Sequence, residues 1–574
     1  MQGRVLLLSA LLTHAVTALP THPWRGVART QLTGDVDDGS QTFEQQVDHF
    51  APDGSRVSWQ QRWFVNDTAW LASNRVGPVF LCVGGEGPAL QANVVSLSGA
   101  HCADAVSLAQ STGALMLALE HRFYGESIPT PDFSTASLRL LSAHQALADI
   151  ARFHSYISSR YQLDAQRNPW IAWGGSYPGM LASWCRLKLP HLFHGAVGSS
   201  APVGAVGDYT GYNDVVGYAL ELRSVGGSSG CVSAVRSAFA EIGRRLQTVE
   251  GRRSLEWTFP VCGARCDELP GGPLDEPYAQ RTFAEELTYL FPAQSNDPAC
   301  DLPACNLERC CDTMRDETLG TPLQRLAAIA AAVTPTGGCV GGSYASAVAE
   351  LTDVSLEGGT ARVWFWQTCT AFGFYQTCDS DSACPFMRTP WLSNLSASLE
   401  DCRIAFGDDA RDGVMRAIEA TNEAFGGVTP AATRLLFVNG EIDPWRAASV
   451  TNSPSSGIEV LFVPGASHHA WTHPERANDS HALIAARQSI HATVTRWLAE
   501  PSAVAEPPPA CVWSAGSVLN VVLAVVTALI AGAMSTLAFQ TLQKRGAEVP
   551  ASPPVDPAAS EGAYVALPGG ETAP

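Results

Sequence analysis

Three side-chain types capable of nucleophilic acyl transfer sit in this chain at separated, recognisable positions. Ser176 lies in the run Gly174-Gly175-Ser176-Tyr177-Pro178-Gly179. Asp443 lies in Asn439-Gly440-Glu441-Ile442-Asp443-Pro444-Trp445, and two adjacent histidines, His468 and His469, close the run Pro464-Gly465-Ala466-Ser467. A serine hydroxyl attacks a carbonyl only when a base takes its proton and an acid orients that base. Small neighbours allow the sharp strand-to-helix turn that exposes such a serine, and the chain order Ser, Asp, His is the order used on an open α/β sheet. The usual pattern G-x-S-x-G is imperfect here, because Pro178 stands at its second glycine. A structural serine in a glycine-rich turn is the competing reading of that segment alone.

The surrounding sequence supplies elements to position these groups. Val79–Val83, Ala114–Leu119 and Trp170–Trp173 are short apolar runs, each ending in a polar or glycine-rich segment. Between Leu138 and Tyr161 apolar residues recur at helical spacing (Leu141, Ala148, Ile150, Phe153, Ile157). Strands alternating with helices imply a mostly parallel α/β sheet, whose reactive groups belong at the strand C-termini. The alternation fades after Val206 and returns with Arg434–Val438 and Ile458–Val463. The predicted layout is therefore a hydrolase-type sheet domain in two parts, 19–205 and 425–500, split by a mainly helical, disulfide-rich insertion over 206–424 that includes a helix at Leu323–Val333.

The chain of 574 residues carries a net charge of −19, which offers no basic footprint for nucleic acid. Residues 1–18 read as a signal peptide: Arg4 precedes the apolar stretch Val5–Ala18, and Val16-Thr17-Ala18 supplies small residues for cleavage. The 16 cysteines lack zinc-finger spacing and fit disulfides in an oxidising compartment, with a pairing that spacing does not reveal. No metal or cofactor is expected. Asn66, Asn394 and Asn478 head N-x-S/T sequons, expected to carry glycans. A Pro-rich stalk (501–513) leads to an uncharged apolar segment (514–540), then to Lys544-Arg545 and a tail (541–574). This order predicts a single-pass membrane protein with its bulk in the lumen, at the surface or in endosomes and lysosomes. Tyr564 and Leu567 in the tail fit the tyrosine-x-x-apolar pattern read by clathrin adaptors. Oligomeric state is open, a homodimer included.

Several segments together resemble one family. These are Phe43–Phe50 (FEQQVDHF), Gly84-Gly85-Glu86-Gly87-Pro88, Glu120–Ser127 (EHRFYGES), Gly174–Tyr177, Ser199–Val203 (SSAPV), Trp366–Thr370 (WQTCT) and Asn439–Trp445. Across about Phe43 to Leu498 the chain is similar to the serine carboxypeptidase family that includes lysosomal Pro-Xaa carboxypeptidase, dipeptidyl peptidase II and thymus-specific serine protease. The resemblance accommodates Pro178, since the family's turn is G-G-S-Y-x-G. It implies an α/β-hydrolase fold with a helical cap, and a catalytic triad of Ser176, Asp443 and His468, with His469 the rival base. An oxyanion hole from the Tyr177 N–H and the Gly85–Glu86 loop is implied too. Glu86, Glu120 and Arg122 are candidates either to touch substrate or to support the strand ends. Peptide substrates are implied, cleaved at a chain end beside proline through an acyl-enzyme on Ser176. Ala371 departs from the family, which has a glutamate there, and puts the proline preference in question. An inactive tethered receptor on the same scaffold and an esterase are the alternatives.

Overall fold

A computed structural model describes residues 39–262, 272–334, 339–341, 344–379, 382–386 and 395–500. All of these fall in the first of two compact units, Met1–Val504 and Ala505–Pro574. The described strands are β1 (Gln41–Gln46), β2 (Ser58–Asn66), β3 (Val79–Val83), β4 (Leu115–Leu119), β5 (Trp170–Gly175), β6 (Phe193–Ser199), β7 (Val206–Asp208), β8 (Gly373–Tyr375), β9 (Leu435–Gly440) and β10 (Ile458–Val463). Eight of them form one sheet in the order β1-β2-β4-β3-β5-β6-β9-β10. β2 runs antiparallel to both β1 and β4, and every other neighbouring pair is parallel.

The central strands are apolar on both faces, because helices cover both. Val79, Leu81 and Val83 pack on one side with the helices Ala143–Tyr161 and Tyr177–Lys188, while Phe80 and Cys82 pack on the other with Ala103–Thr112 and His481–Ala499. Leu435 and Phe437 alternate with Leu436 and Val438 in the same way. The result is an α/β-hydrolase-like fold. The helical pattern expected from Leu138 onward is broken at Arg139–Ser142, where Ser142 caps the long helix by accepting from the Gln145 N–H at 3.2 Å. Its serine oxygen satisfies a backbone donor that an uninterrupted helix would have used internally.

Between β6 and β9 the chain runs mainly through helices, from Thr210–Glu221 to Asp408–Phe425, joined by the small parallel pair β7–β8. The helix expected at Leu323–Val333 spans Pro322–Val333 and opens with a reciprocal cap between Thr321 and Gln324. Five disulfides pin this insertion: Cys231–Cys311, Cys262–Cys339, Cys300–Cys305, Cys369–Cys402 and Cys378–Cys384. A sixth, Cys82–Cys102, ties β3 to the start of the next helix. Cys185 and Cys310 are buried thiols.

Arg122 is fully buried and grips both oxygens of Asp149, each at 2.6 Å, while donating to the carbonyls of Gln46, Val47 and Leu140. Glu120 accepts from Arg62, Ser127 and the Leu90 and Glu126 N–H groups. Of the two roles open to them, both side chains make the contacts that brace the ends of β1, β2 and β4. Asn478 is exposed in a turn, whereas the Asn66 amide donates to the Val95 carbonyl at 3.1 Å. No helix among the described residues is long and apolar enough to cross a membrane. The segments 1–18, 501–513, 514–540 and 541–574, with Asn394, Tyr564 and Leu567, lie outside the described residues.

Candidate active site

Ser176 joins β5 to the helix Tyr177–Lys188 with φ +62° and ψ −132°. A non-glycine residue at such angles costs about 1–3 kcal/mol, so its surroundings must enforce it. The Ser176 N–H donates to the Ser199 carbonyl on β6 at 2.9 Å, and its own carbonyl accepts from the Met180 N–H at 3.0 Å. Strand and helix then touch so closely that a Cβ at Gly174 would lie 2.2 Å from the Pro178 carbonyl oxygen. The ring of Pro178, in the first turn where its missing N–H costs nothing, fills the space above Gly85, where a Cβ would lie 2.4 Å from the ring. Proline in place of the second glycine is thus matched by a glycine on the β3 loop.

Asp443 is wholly buried just beyond β9. One of its oxygens accepts the Trp445 N–H at 3.0 Å, and the two lie 2.9 and 3.0 Å from His468 Nδ1. A carboxylate in this position accepts, so Nδ1 carries the proton and Nε2 is left as a lone-pair base. His469 has no such partner. Its ring rests over Gly175, with Nδ1 against the Thr472 hydroxyl at 3.1 Å. Burial, and then the neighbouring rings of His468, His473 and His101, hold its pKa well below the usual histidine value. Of the two adjacent histidines, only His468 is paired with Asp443.

The family-like segment Ser199-Ser200 carries a function that spacing did not reveal. β6 lies between the serine strand β5 and the aspartate strand β9. From its end the Ser200 N–H donates to Val438, the Ser200 hydroxyl accepts the His469 N–H at 2.8 Å, and the Ser199 hydroxyl accepts Trp471 Nε1–H at 2.9 Å. These bonds tie the histidine loop to the end of β6, the strand whose Ser199 carbonyl also receives the Ser176 N–H. Paired hydroxyls directly after an apolar run were the available signal.

Gln367, from the insertion, was also unassigned by sequence. His121 is buried and held neutral, its pKa lowered to about 4, and its Nδ1–H donates to the Arg122 carbonyl. The Tyr177 hydroxyl therefore donates to His121 Nε2 at 3.0 Å and accepts from Gln367 Nε2 at 2.9 Å, while Tyr124 donates to the Gln367 oxygen. A directed chain of hydrogen bonds thus locks the residue that follows Ser176.

Glu86 brings its carboxyl within hydrogen-bonding reach of the Ser176 hydroxyl and the Tyr177 N–H, and one of its oxygens is buried without a partner. Burial raises its pKa from 4.5 to about 8, against smaller opposing contributions from its own N–H, Ser176 and Tyr177. The group is accordingly neutral in acid and carries charge only above about 8. Glu86 lies against Ser176 and the Tyr177 N–H, and Gly85 lies against Pro178; Glu120 and Arg122 are occupied elsewhere.

The family model described as Serine carboxypeptidase S28 matches residues 45–490. Thymus-specific serine protease of Homo sapiens is 38% identical over 475 residues, covering 79% of this chain and 86% of the relative. A putative serine protease of Caenorhabditis elegans is 32% identical over 467 residues, covering 80% and 88%. Lysosomal Pro-X carboxypeptidase of Bos taurus is 26% identical over 490 residues, covering 83% and 91%.

Ionising Glu86 would place a negative charge beside the Ser176 hydroxyl and the Tyr177 N–H. The kcat/KM of the native protein should fall as pH rises through about 8, and Glu86→Gln should flatten that alkaline limb while leaving the acidic limb in place. An unchanged alkaline limb in the variant would rule Glu86 out as its source.

Proposed function

We propose, from the premise that this chain belongs to the serine carboxypeptidase S28 family, that it is a serine peptidase acting on peptide ends through an acyl-enzyme on Ser176. The observation that carries this reading is the His468–Asp443 pair, with Nε2 left as a base, on a loop bonded to the end of β6, the strand whose Ser199 carbonyl receives the N–H of the strained Ser176. In the proposed reaction Ser176 Oγ attacks the scissile carbonyl and His468 Nε2 takes its proton. Asp443 stabilises the resulting imidazolium, which then protonates the departing amine. Water, deprotonated by the same nitrogen, releases the acid and restores the serine. The Tyr177 N–H and a donor from the Gly85–Glu86 loop bind the oxyanion.

Two observations support an end-directed, proline-related specificity. The helical insertion contributes contacts at both the serine and the histidine sides of the site, which favours short chain ends over internal bonds. One relative over most of the chain is named a Pro-X carboxypeptidase. Ala371, half-buried at the position where the resemblance calls for glutamate, is the residue at which this chain's preference would diverge. In a library of proline peptides with free or blocked termini, blocking one end should abolish turnover and blocking the other should not. Ser176→Ala should lower kcat by about a millionfold. Equal cleavage of peptides blocked at both ends would contradict the exopeptidase reading, and full activity in Ser176→Ala the nucleophile.

The six disulfides favour the secretory route. On the sequence pattern of 514–540 we place the peptidase on the luminal side of a single membrane span, sorted by adaptor binding to Tyr564 and Leu567. The full chain should stay with membranes in alkaline carbonate, a chain ended at Val504 should be secreted, and Tyr564→Ala should move the protein to the cell surface. Extraction of the full chain by carbonate would contradict the span, and an unchanged distribution of the variant would contradict the sorting signal.

A further inference from the structure

The segment Gln294–Asp297 leaves the insertion and meets the histidine loop at three successive points. The Gln294 carbonyl accepts the His468 N–H at 3.1 Å, the Asn296 carbonyl accepts the Ser467 hydroxyl at 2.8 Å, and Asp297 pairs with Arg476 at 2.6 Å. These contacts add to those that Ser199 and Ser200 make from β6, and they reach His468 itself, which stands on a loop beyond the last strand, β10. The Gln294 side chain makes a second set of bonds. Its amide oxygen accepts the Tyr212 hydroxyl at 2.6 Å and Trp445 Nε1–H at 3.0 Å. The indole N–H only donates, so the oxygen, and not the amide nitrogen, faces these two groups. Trp445 is in turn the residue whose backbone N–H donates to Asp443.

One residue of the insertion therefore holds the base through its main chain and the orienting acid through its side chain. We propose that Gln294 is a positioning residue for the His468–Asp443 pair, coupling the helical insertion to the alignment of the base. This rests on the proposed triad. Its physical basis is that general-base catalysis depends on sub-ångström placement of the base, and that loop-borne groups need external bracing to achieve it. Removing the amide oxygen leaves two buried donors, one on Tyr212 and one on Trp445, competing for other partners, and frees the loop that carries Asp443. Both accepted bonds go to one oxygen, so a carboxylate of the same length can replace the amide.

The test compares Gln294→Leu, Gln294→Glu and Tyr212→Phe in the full chain, with Ser176→Ala as reference, by kcat, KM and the pH profile of kcat/KM on a proline peptide. Gln294→Leu should lower kcat about 10–100-fold with KM changed by no more than about threefold, at roughly tenfold per lost hydrogen bond. Tyr212→Phe, which removes one donor and keeps the ring, should lower kcat about three- to tenfold. Gln294→Glu should keep kcat within about threefold, and its added charge should move the acidic limb of kcat/KM to higher pH by stabilising the imidazolium. Native kcat in Gln294→Leu overturns the proposal, as does equal loss in Gln294→Leu and Gln294→Glu, which would make the side chain only a spacer. If Gln294→Leu does not fold, native kcat in Tyr212→Phe overturns it. Activity persisting in Ser176→Ala would instead refute the triad reading, and is read separately.

Discussion

The backbone of Ser176 sits at a positive φ that a serine does not choose, and much of the surrounding sequence is explained by the need to hold it there. Gly174 and Gly179 let the strand and the helix come within contact, Gly85 gives way to the Pro178 ring, and β6 supplies the carbonyl that receives the Ser176 N–H. None of these residues has a reactive group. Their contribution is to hold the turn in which the Ser176 hydroxyl meets the Glu86 carboxyl on the loop after β3.

The same constraint determines how the rest of the site is assembled. A nucleophile held by the sheet, as proposed for Ser176, needs a base held to an equal tolerance, and the base proposed, His468, rides on a loop after the edge strand β10. The structure answers from two directions. Ser199 and Ser200 reach the loop from the strand beside the serine, and the insertion reaches it through Gln294 and Asn296. Disulfides keep the insertion itself in one arrangement, in a region with few strands to order it. Glu86 adds an electrostatic element: burial raises its pKa to about 8, so the carboxyl beside Ser176 is protonated at lower pH.

The legible parts of this protein were those written in local patterns. Val79–Val83, Trp170–Gly175 and Ile458–Val463 announce themselves as apolar runs bounded by glycine or proline, and the three reactive side chains each follow such a run. Between β6 and β9, where the sequence loses its strand alternation, the described elements are mainly helices. What remained hidden depends on distant partners. β1 and β2, polar on alternate residues and antiparallel at the sheet edge, carry no long apolar run. The choice of Cys311 over adjacent Cys310 for Cys231 is made by helix geometry that spacing does not encode. Gln294 and Gln367 are ordinary glutamines in sequence, and acquire meaning only when the insertion is laid against the sheet. Arg122 shows the converse: a charged residue in a family-like segment, next to the site in sequence pattern, that is consumed by Asp149.

The proposed nucleophile is the Ser176 hydroxyl, on a backbone held at φ +62°. The most direct measurement is peptide mapping by mass spectrometry of the full chain after reaction with a fluorophosphonate. The predicted result is a single phosphonyl adduct on the peptide bearing Ser176, strongly diminished when Asp443→Asn removes the carboxylate charge beside His468 Nδ1. An adduct on another serine, or undiminished labelling of Ser176 in Asp443→Asn, would contradict it.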